Sequence, residues 1–310
     1  MDRRKATWSG QTILVISLLS LVTIFFPYGW IAFIILLTLT VYQLLLRVIF
    51  TGPKKRSPPF SDPAWNLLTT KNGTEEVIGF INYAPKKTDL VVFIHGWQSS
   101  SERFTERMWI FRNRGFHTLA IDMRGHGQAP YTAEWTVGKV IQDTIAILEK
   151  VERENIRKIH FYGHSLGGFV SIGMHHDRYN GWWKDMYGTL MLESPMTAYS
   201  PILEQTTRKF SFMWPILRRI ALHGFSKVHP EIGKLEWKDI DMPNWGLPQI
   251  PILLLQAKND TKLGRFHYDL IMKQNLDVEN HLIESLPHSS NRVNEERDKI
   301  ILSWIKTKMI

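Results

Sequence analysis

The stretch that decides the fold is Ile159-His160-Phe161-Tyr162, then Gly163-His164-Ser165-Leu166-Gly167, then Gly168-Phe169-Val170-Ser171. A short apolar run, a glycine-flanked serine and a small-residue helical start read as strand, sharp turn and helix. Small neighbours permit the strained backbone of such a turn and push the serine hydroxyl beyond the sheet edge. The amide N–H groups opening the next helix point at the same spot and favour a developing negative charge. The pentapeptide therefore predicts a nucleophilic serine with half an oxyanion hole. A glycine-rich turn that binds a phosphate, or nothing, is the plainer alternative, so the rest of the chain has to supply partners.

Several segments qualify. Leu90–Ile94 is a continuous apolar run closed by His95-Gly96-Trp97, which reads as a buried parallel strand and a tight turn able to present a second backbone N–H. Thr118–Ile121 is another such strand, ending in Asp122-Met123-Arg124-Gly125-His126-Gly127. Ile252–Leu255 leads to Asp260, and Leu282–Leu286 leads to Pro287-His288. With these pieces in this order, the chain resembles the α/β-hydrolase superfamily from about residue 77 to its C-terminus. Within it the chain is similar to the monoacylglycerol-lipase-like and serine-aminopeptidase-like branch.

That resemblance implies a mostly parallel sheet flanked by helices, with Ser165 as nucleophile, His288 as general base and then acid, and Asp260 as the carboxylate that orients it. The backbone N–H groups of Trp97 and Leu166 would form the oxyanion hole. Asp260 is followed by Thr261-Lys262-Leu263-Gly264, where the branch more often carries an apolar residue or proline. Glu193 also ends a strand, where some members place their acid. Asp260 is the preferred acid.

Most of the twelve histidines need no catalytic role. His95, His126 and His164 are expected to brace their turns, and Asp122 and Arg124 to act as structural ties. Adjacent His175 and His176 cannot both face one metal from a helix, and no His-Glu-x-x-His spacing occurs, so neither metal nor cofactor is expected. A net charge of +9 permits an anionic surface as partner, but no nucleic-acid-binding motif accompanies it, so none is expected. The chain has no cysteine, which excludes disulfides.

From Gln11 to Phe50 only Arg47 is charged. Such a run would be about 60 Å long as one helix, twice the hydrocarbon thickness. Pro27-Tyr28-Gly29 interrupts it, which predicts a membrane hairpin in residues 1–50 with spans at about 12–26 and 30–50. Arg3, Arg4 and Lys5 precede the pair, and Arg47, Lys54, Lys55 and Arg56 follow it, with no charge in the turn. The positive-inside rule then places both ends, and the catalytic domain, in the cytoplasm. A cleaved signal peptide and a single span with the enzyme outside are the alternatives. Residues 51–76 read as a linker and 77–310 as the hydrolase domain. Ser101–Arg114, Val137–Arg153 and Arg292–Lys308 are predicted helices.

Thr197–Pro248 is too long for an ordinary α/β connection and predicts an inserted cap. Its segment Arg208–Arg219 mixes bulky apolar and basic side chains: a cap helix with a solvated face, or an interfacial segment dipping toward lipid. The expected activity is hydrolysis of a carboxylic ester, with a lipid-like monoacylglycerol or lysophospholipid suggested by the branch and the anchor. A serine aminopeptidase is the second reading and would need a cap carboxylate (Glu204, Glu231, Glu236, Asp239 or Asp241) to hold an amino terminus. A non-catalytic, membrane-tethered binding module is the third.

Overall fold

The computed structural model describes residues 5–54, 57–207 and 212–310. The expectations for Arg3, Arg4, Lys55, Arg56 and the first part of the Arg208–Arg219 segment lie outside the described residues.

Eight strands form one sheet: β1 (Asn66–Asn72), β2 (Glu75–Asn82), β3 (Thr88–Ile94), β4 (His117–Asp122), β5 (Ile156–His164), β6 (Tyr187–Glu193), β7 (Ile252–Ala257) and β8 (Val278–Ile283). Their spatial order is β1-β2-β4-β3-β5-β6-β7-β8. β2 pairs antiparallel with both β1 and β4, and β4 through β8 run parallel with β3. The central parallel strands are buried on both faces, which is why Leu90–Ile94 is apolar without alternation.

The two faces of β5 show how the layers are built. Ile159 and Phe161 pack beneath α4 (Val137–Leu148) and α5 (Leu166–Gly173), with Ile141, Phe169 and Ile172. Tyr162 faces the other way, among Phe93, Met191 and the side chains of α3 (Thr105–Arg112) and α9 (Glu295–Trp304). Thr136 starts α4 by accepting the Lys139 N–H, and Asn294 starts α9 by accepting that of Arg297. The three sequence-predicted helices are shorter than expected. Ser101–Phe104 is a 3-10 turn before α3, α4 stops at Leu148, and α9 starts late, spanning Glu295–Trp304, but continues as a π-helical turn through Ile305–Met309, past the expected end at Lys308.

The sheet also starts earlier than the sequence suggests. β1 lies inside the stretch read as linker, residues 51–76. It is an edge strand with a half-exposed, polar sequence, Asn-Leu-Leu-Thr-Thr-Lys-Asn, so it lacks the apolar run that marks the buried strands.

Between β6 and β7, in the stretch expected to be a cap, the described residues include α6 (Ser200–Thr207), α7 (Trp214–Val228) and 3-10 turns at Pro230–Ile232 and Trp237–Ile240. α8 (Phe266–Met272) joins β7 to β8.

The N-terminal segment forms two helices, α1 (Gly10–Thr23) and α2 (Gly29–Ile49). Among the described residues only α2 is long and apolar enough to cross a membrane. The 14 residues of α1 extend about 21 Å, short of a hydrocarbon core of about 30 Å. The pair packs on the sheet domain at the end where α1 starts and α2 stops. Glu134 accepts from Thr7 N and Oγ1 at 2.9 and 3.0 Å, Trp135 N donates to Phe50 O at 2.8 Å, and Gln43 Oε1 accepts from Trp8 N at 2.9 Å. The outward faces stay bare, with Leu14, Leu18, Val22, Ile34 and Ile35 about half exposed.

One packing constraint bears directly on the turn after β5. A side-chain carbon on Gly167 would lie 1.9 Å from the carbonyl oxygen of Ile94, so α5 rests directly on the end of β3. Gly167→Ala is expected to destabilise the fold by about 3 kcal/mol, the upper end of ordinary overpacking, because the obstacle is backbone. A lowered urea midpoint at unchanged slope checks this.

Candidate active site

Ser165 sits between the end of β5 and the start of α5, at φ 52° and ψ −119°. That left-handed conformation is costly for a residue with a side chain and persists where the surroundings impose it. Here they do. The Ser165 N–H donates to Glu193 O at 3.1 Å, and its carbonyl accepts from Gly168 and Met196 at 3.0 and 2.9 Å. A side chain at Gly163 would strike the backbone of Gly167 and Gly168 at 2.6 Å, so the turn closes only around glycine.

The parallel strands deliver the partners at their C-terminal ends. Asp260 follows β7 and His288 follows β8. His288 Nδ1 lies 2.8 Å from Asp260 Oδ2, and His288 Nε2 lies 3.1 Å from Ser165 Oγ. Burial alone would raise the Asp260 pKa. The hydrogen bond from His288 and the N–H groups of Leu263 and Lys262 outweigh it and bring the carboxyl down to about 2. Asp260 is therefore an ionised acceptor at neutral pH. His288 Nδ1 must carry the proton, which leaves Nε2 free to accept from the Ser165 hydroxyl. The Thr261-Lys262-Leu263 segment supplies the two N–H groups that hold Asp260 Oδ1 at 2.8 and 2.9 Å.

Glu193 is brought close but into other company. Its carboxylate is fully buried at the end of β6, 3.1 Å from Arg107 Nη1 and 3.7 Å from Arg297 Nη1. It also accepts from Tyr162 Oη and Asn291 Nδ2. Burial opposes its ionisation, but the two guanidinium groups win and keep its pKa below the usual value. Asp260, not Glu193, is the carboxylate hydrogen-bonded to His288.

The network around Glu193 still bears on His288. Arg107 Nη2 and Arg297 Nη1 both donate to the carbonyl of Asn291, at 3.1 and 2.5 Å, three residues beyond the histidine. His164 Nε2 donates to His288 O at 2.8 Å, because a carbonyl can only accept. Burial holds the pKa of His164 at about 4, so this brace is uncharged at neutral pH. Sequence reasoning missed Arg107, Arg297, Tyr162 and Asn291. Their only signal was the oddity of an arginine inside an otherwise core-facing helix.

The turn after β3 closes the other side. His95 Nε2 accepts from Met123 N at 3.0 Å, so its Nδ1–H donates to Gly96 O at 2.8 Å. Asp122 accepts from Ser101 N and Gln128 N, and Arg124 pairs with Asp143. These are the loop ties expected of them. Gly96 lies against Ser165, whose Cβ would be 3.1 Å from a carbon placed there. Trp97 comes next, with its ring partly exposed against His126 and Trp135. Leu166 opens α5, so its N–H has no helical acceptor. A cleft of about 180 Å3 lies over Ser165, lined by Gly96, Trp97, Gln98, His164, His288 and Asn291 among others. No group of three or more potential metal ligands occurs among the described residues.

The strand order and fold match known proteins. The chain has the α/β-hydrolase fold. Residues 85–236 match the family model described as serine aminopeptidase, S33, just under half of the chain. A non-heme chloroperoxidase from Burkholderia pyrrocinia is 31% identical over 102 residues, covering 33% of this chain and 35% of that one. A bifunctional esterase/perhydrolase from Acinetobacter calcoaceticus is 31% identical over 101 residues, with the same coverage of both chains. The chain thus spans about a third of the length of the curated relatives it matches. Among solved structures, the Pyrococcus furiosus esterase Pf2001 superposes with a TM-score of 0.57 at 18% identity, covering 84% of this chain and 100% of that one. Mouse alpha/beta hydrolase domain-containing protein 10 gives 0.58 at 16% identity, covering 78% and 97%. At these identities the structural matches speak to the fold alone.

Two outcomes separate the carboxylates. Glu193→Ala strands two buried guanidinium groups and is expected to cost about 3–5 kcal/mol in urea unfolding. Asp260→Asn is expected to have a pH-dependent effect. The folded pKa of Asp260 lies below its unfolded value of about 3.9, so its ionisation stabilises the fold above that pH. The stability gap between wild type and Asp260→Asn should shrink as pH falls from 4 toward 2, by acid-titrated unfolding.

Proposed function

We propose that the chain is a membrane-anchored serine hydrolase that cleaves carboxylic esters through an acyl-enzyme on Ser165. The observation that carries this reading is the unbroken relay from Asp260 through His288 to a serine held at positive φ. Ser165 Oγ attacks the acyl carbonyl while His288 Nε2 takes its proton, and ionised Asp260 stabilises the imidazolium. The carbonyl oxygen becomes an oxyanion facing the N–H groups of Leu166 and Trp97. A donor in such a position is worth about 3 kcal/mol in the transition state. His288 then protonates the departing alcohol and activates water for deacylation. The neutrality of His164, and of His95 at a pKa of about 4, leaves no second imidazolium beside the nucleophile.

An ester rather than a peptide substrate is favoured by the cap. Asp241 accepts from Tyr199 N, Ser200 N and Ser200 Oγ, and Glu236 and Asp239 cap one another's turn. Glu231 accepts from Gln142 and His229. These four carboxylates are thus engaged within the protein, and the fifth, Glu204, is not free either. A binding-only role finds no support, because all three relay positions carry competent side chains.

The lipid-like substrate rests on the bare apolar faces of α1 and α2 beside the catalytic domain. Both helices meet that domain at the same end, as a hairpin returning to the side it left would require. The basic residues flanking the pair favour the cytoplasmic face. Protection of a C-terminal tag from external protease in intact cells is the expected result, and an accessible tag overturns this orientation.

Activity is tested with a fluorophosphonate probe and acyl-ester and aminoacyl-amide substrates. Wild type is expected to label and to favour esters, and Ser165→Ala to do neither. His288→Ala and Asp260→Asn are expected to lower kcat by roughly 10³–10⁴-fold. Labelling that survives Ser165→Ala, or faster turnover of amides, would remove this assignment.

A further inference from the structure

The cleft over Ser165 has polar walls without an acid in them. Among the described residues its lining includes Arg103, Arg107, Gln98, Ser289 and Ser290, and no aspartate or glutamate. The charge of Arg107 is met by Glu193, and burial keeps His95 and His164 neutral at neutral pH. Arg103 is different. Its exposed guanidinium makes no ion pair or hydrogen bond among the described residues. The acids near it in sequence are engaged elsewhere. Glu102 accepts from Ser61 N at 3.0 Å, and Glu102 and Glu106 each lie 3.5 Å from Arg292 Nη2. One uncompensated positive charge therefore stands at the cleft.

The backbone marks the same place. Five non-glycine residues hold positive φ among the described residues, and three of them, Gln98 (56°), Ser165 (52°) and Ser290 (62°), line this cleft. Such conformations cost energy and gather where a ligand is held.

The charge lies on the side of the departing alcohol. Arg107 Nη2 donates to the carbonyls of both Arg103 and Asn291, at 3.0 and 3.1 Å. The turn that carries Arg103 is thus clamped to the loop that carries His288. His288 hands its proton to the leaving oxygen, so the alcohol part of an ester sits beside that loop.

We propose that the preferred substrate is an acyl ester whose alcohol carries an oxyanion, phosphate or carboxylate, and that Arg103 binds this group in the cleft. The inference rests on the ester-hydrolase reading above. A guanidinium offers paired donors to such a group, and the Ser289 and Ser290 hydroxyls, unpartnered among the described residues, add two more. A wall without carboxylates sets no charge against the anion. A neutral alcohol would leave Arg103 unpaired.

The test uses the full chain in phosphatidylcholine nanodiscs, whose surface has no net charge. The substrates are 1-octanoylglycerol, its 3-phosphate and 3-octanoylglycerate, which share one acyl chain and differ in the charge of the alcohol. Wild type is expected to favour an anionic ester over the neutral one by about tenfold in kcat/KM, the size of one charged hydrogen bond. The larger of the two ratios identifies phosphate or carboxylate as the group read. Arg103→Gln is expected to bring the ratio to about one, and Arg103→Glu to invert it. Inversion guards against a variant that merely misfolds, which would slow all three substrates together. p-Nitrophenyl octanoate and p-nitrophenyl hydrogen suberate move the charge to the acyl chain, and their ratio is expected not to depend on Arg103. Equal turnover of the glycerol esters by wild type, a preference kept in Arg103→Gln, or an Arg103-dependent preference for the suberate overturns the inference and leaves the ester reading intact. Failure of wild type to cleave any ester overturns the ester reading, and this inference with it.

Discussion

The close approach of α5 to the end of β3 is the constraint on which the rest of the site depends. It requires Gly167 to lack a side chain against the Ile94 carbonyl and Gly163 to lack one against Gly167 and Gly168. Once helix and strands are that close, the residue between them has no ordinary conformation left. Ser165 is driven to positive φ, its hydroxyl clears the sheet, and the first N–H of α5 faces the space beside it. The same contact lays Gly96 against Ser165. A helix that stood off by the width of a methyl group would lose the serine's geometry and the loop's approach together.

His288 needs a different kind of support, because it hangs on a loop after an outer strand. The buried group of Glu193, Arg107 and Arg297 supplies it by converging on the Asn291 carbonyl, while His164 holds that of His288. Burying three charges is expensive, and a cluster of this kind is weak evidence for stability in itself. What it provides is a fixed carbonyl from which the histidine loop hangs. The N-terminal helices are bound in by the bare face of Gly224 on Leu46 and Phe50 and by the Glu134 carboxylate on Thr7. An apolar cavity lies at that seam, lined by residues of α2 and α7 alike.

Much of this was legible beforehand. Buried parallel strands announce themselves as unbroken apolar runs, so β3, β4, β5 and β7 could be placed, and with them the α/β-hydrolase fold. β1 could not, because an edge strand pairs on one side and keeps a polar, half-exposed sequence. The end of α1 was placed three residues late, although its length was close to that expected. Apolar composition continues through Ile24-Phe25-Phe26, but the helix stops at Thr23, where the chain turns into Gly29. The choice between Asp260 and Glu193 rested on resemblance, since each ends a strand as an acidic residue. Distance separates them: one touches His288 and the other is surrounded by arginines.

The sequence by itself determined the strand-serine-helix turn, the order of its partners and the apolar N-terminal segment, because each is written in contiguous residues and local sterics. Only the tertiary structure decided which carboxylate meets His288, which buried charges brace its loop, and that the end of α2 packs on α7. Those contacts join residues more than a hundred positions apart in the case of Arg107 and Asn291, or of Phe50 and Phe225. No local pattern encodes such a meeting; it follows from how the sheet twists and which helices close over it.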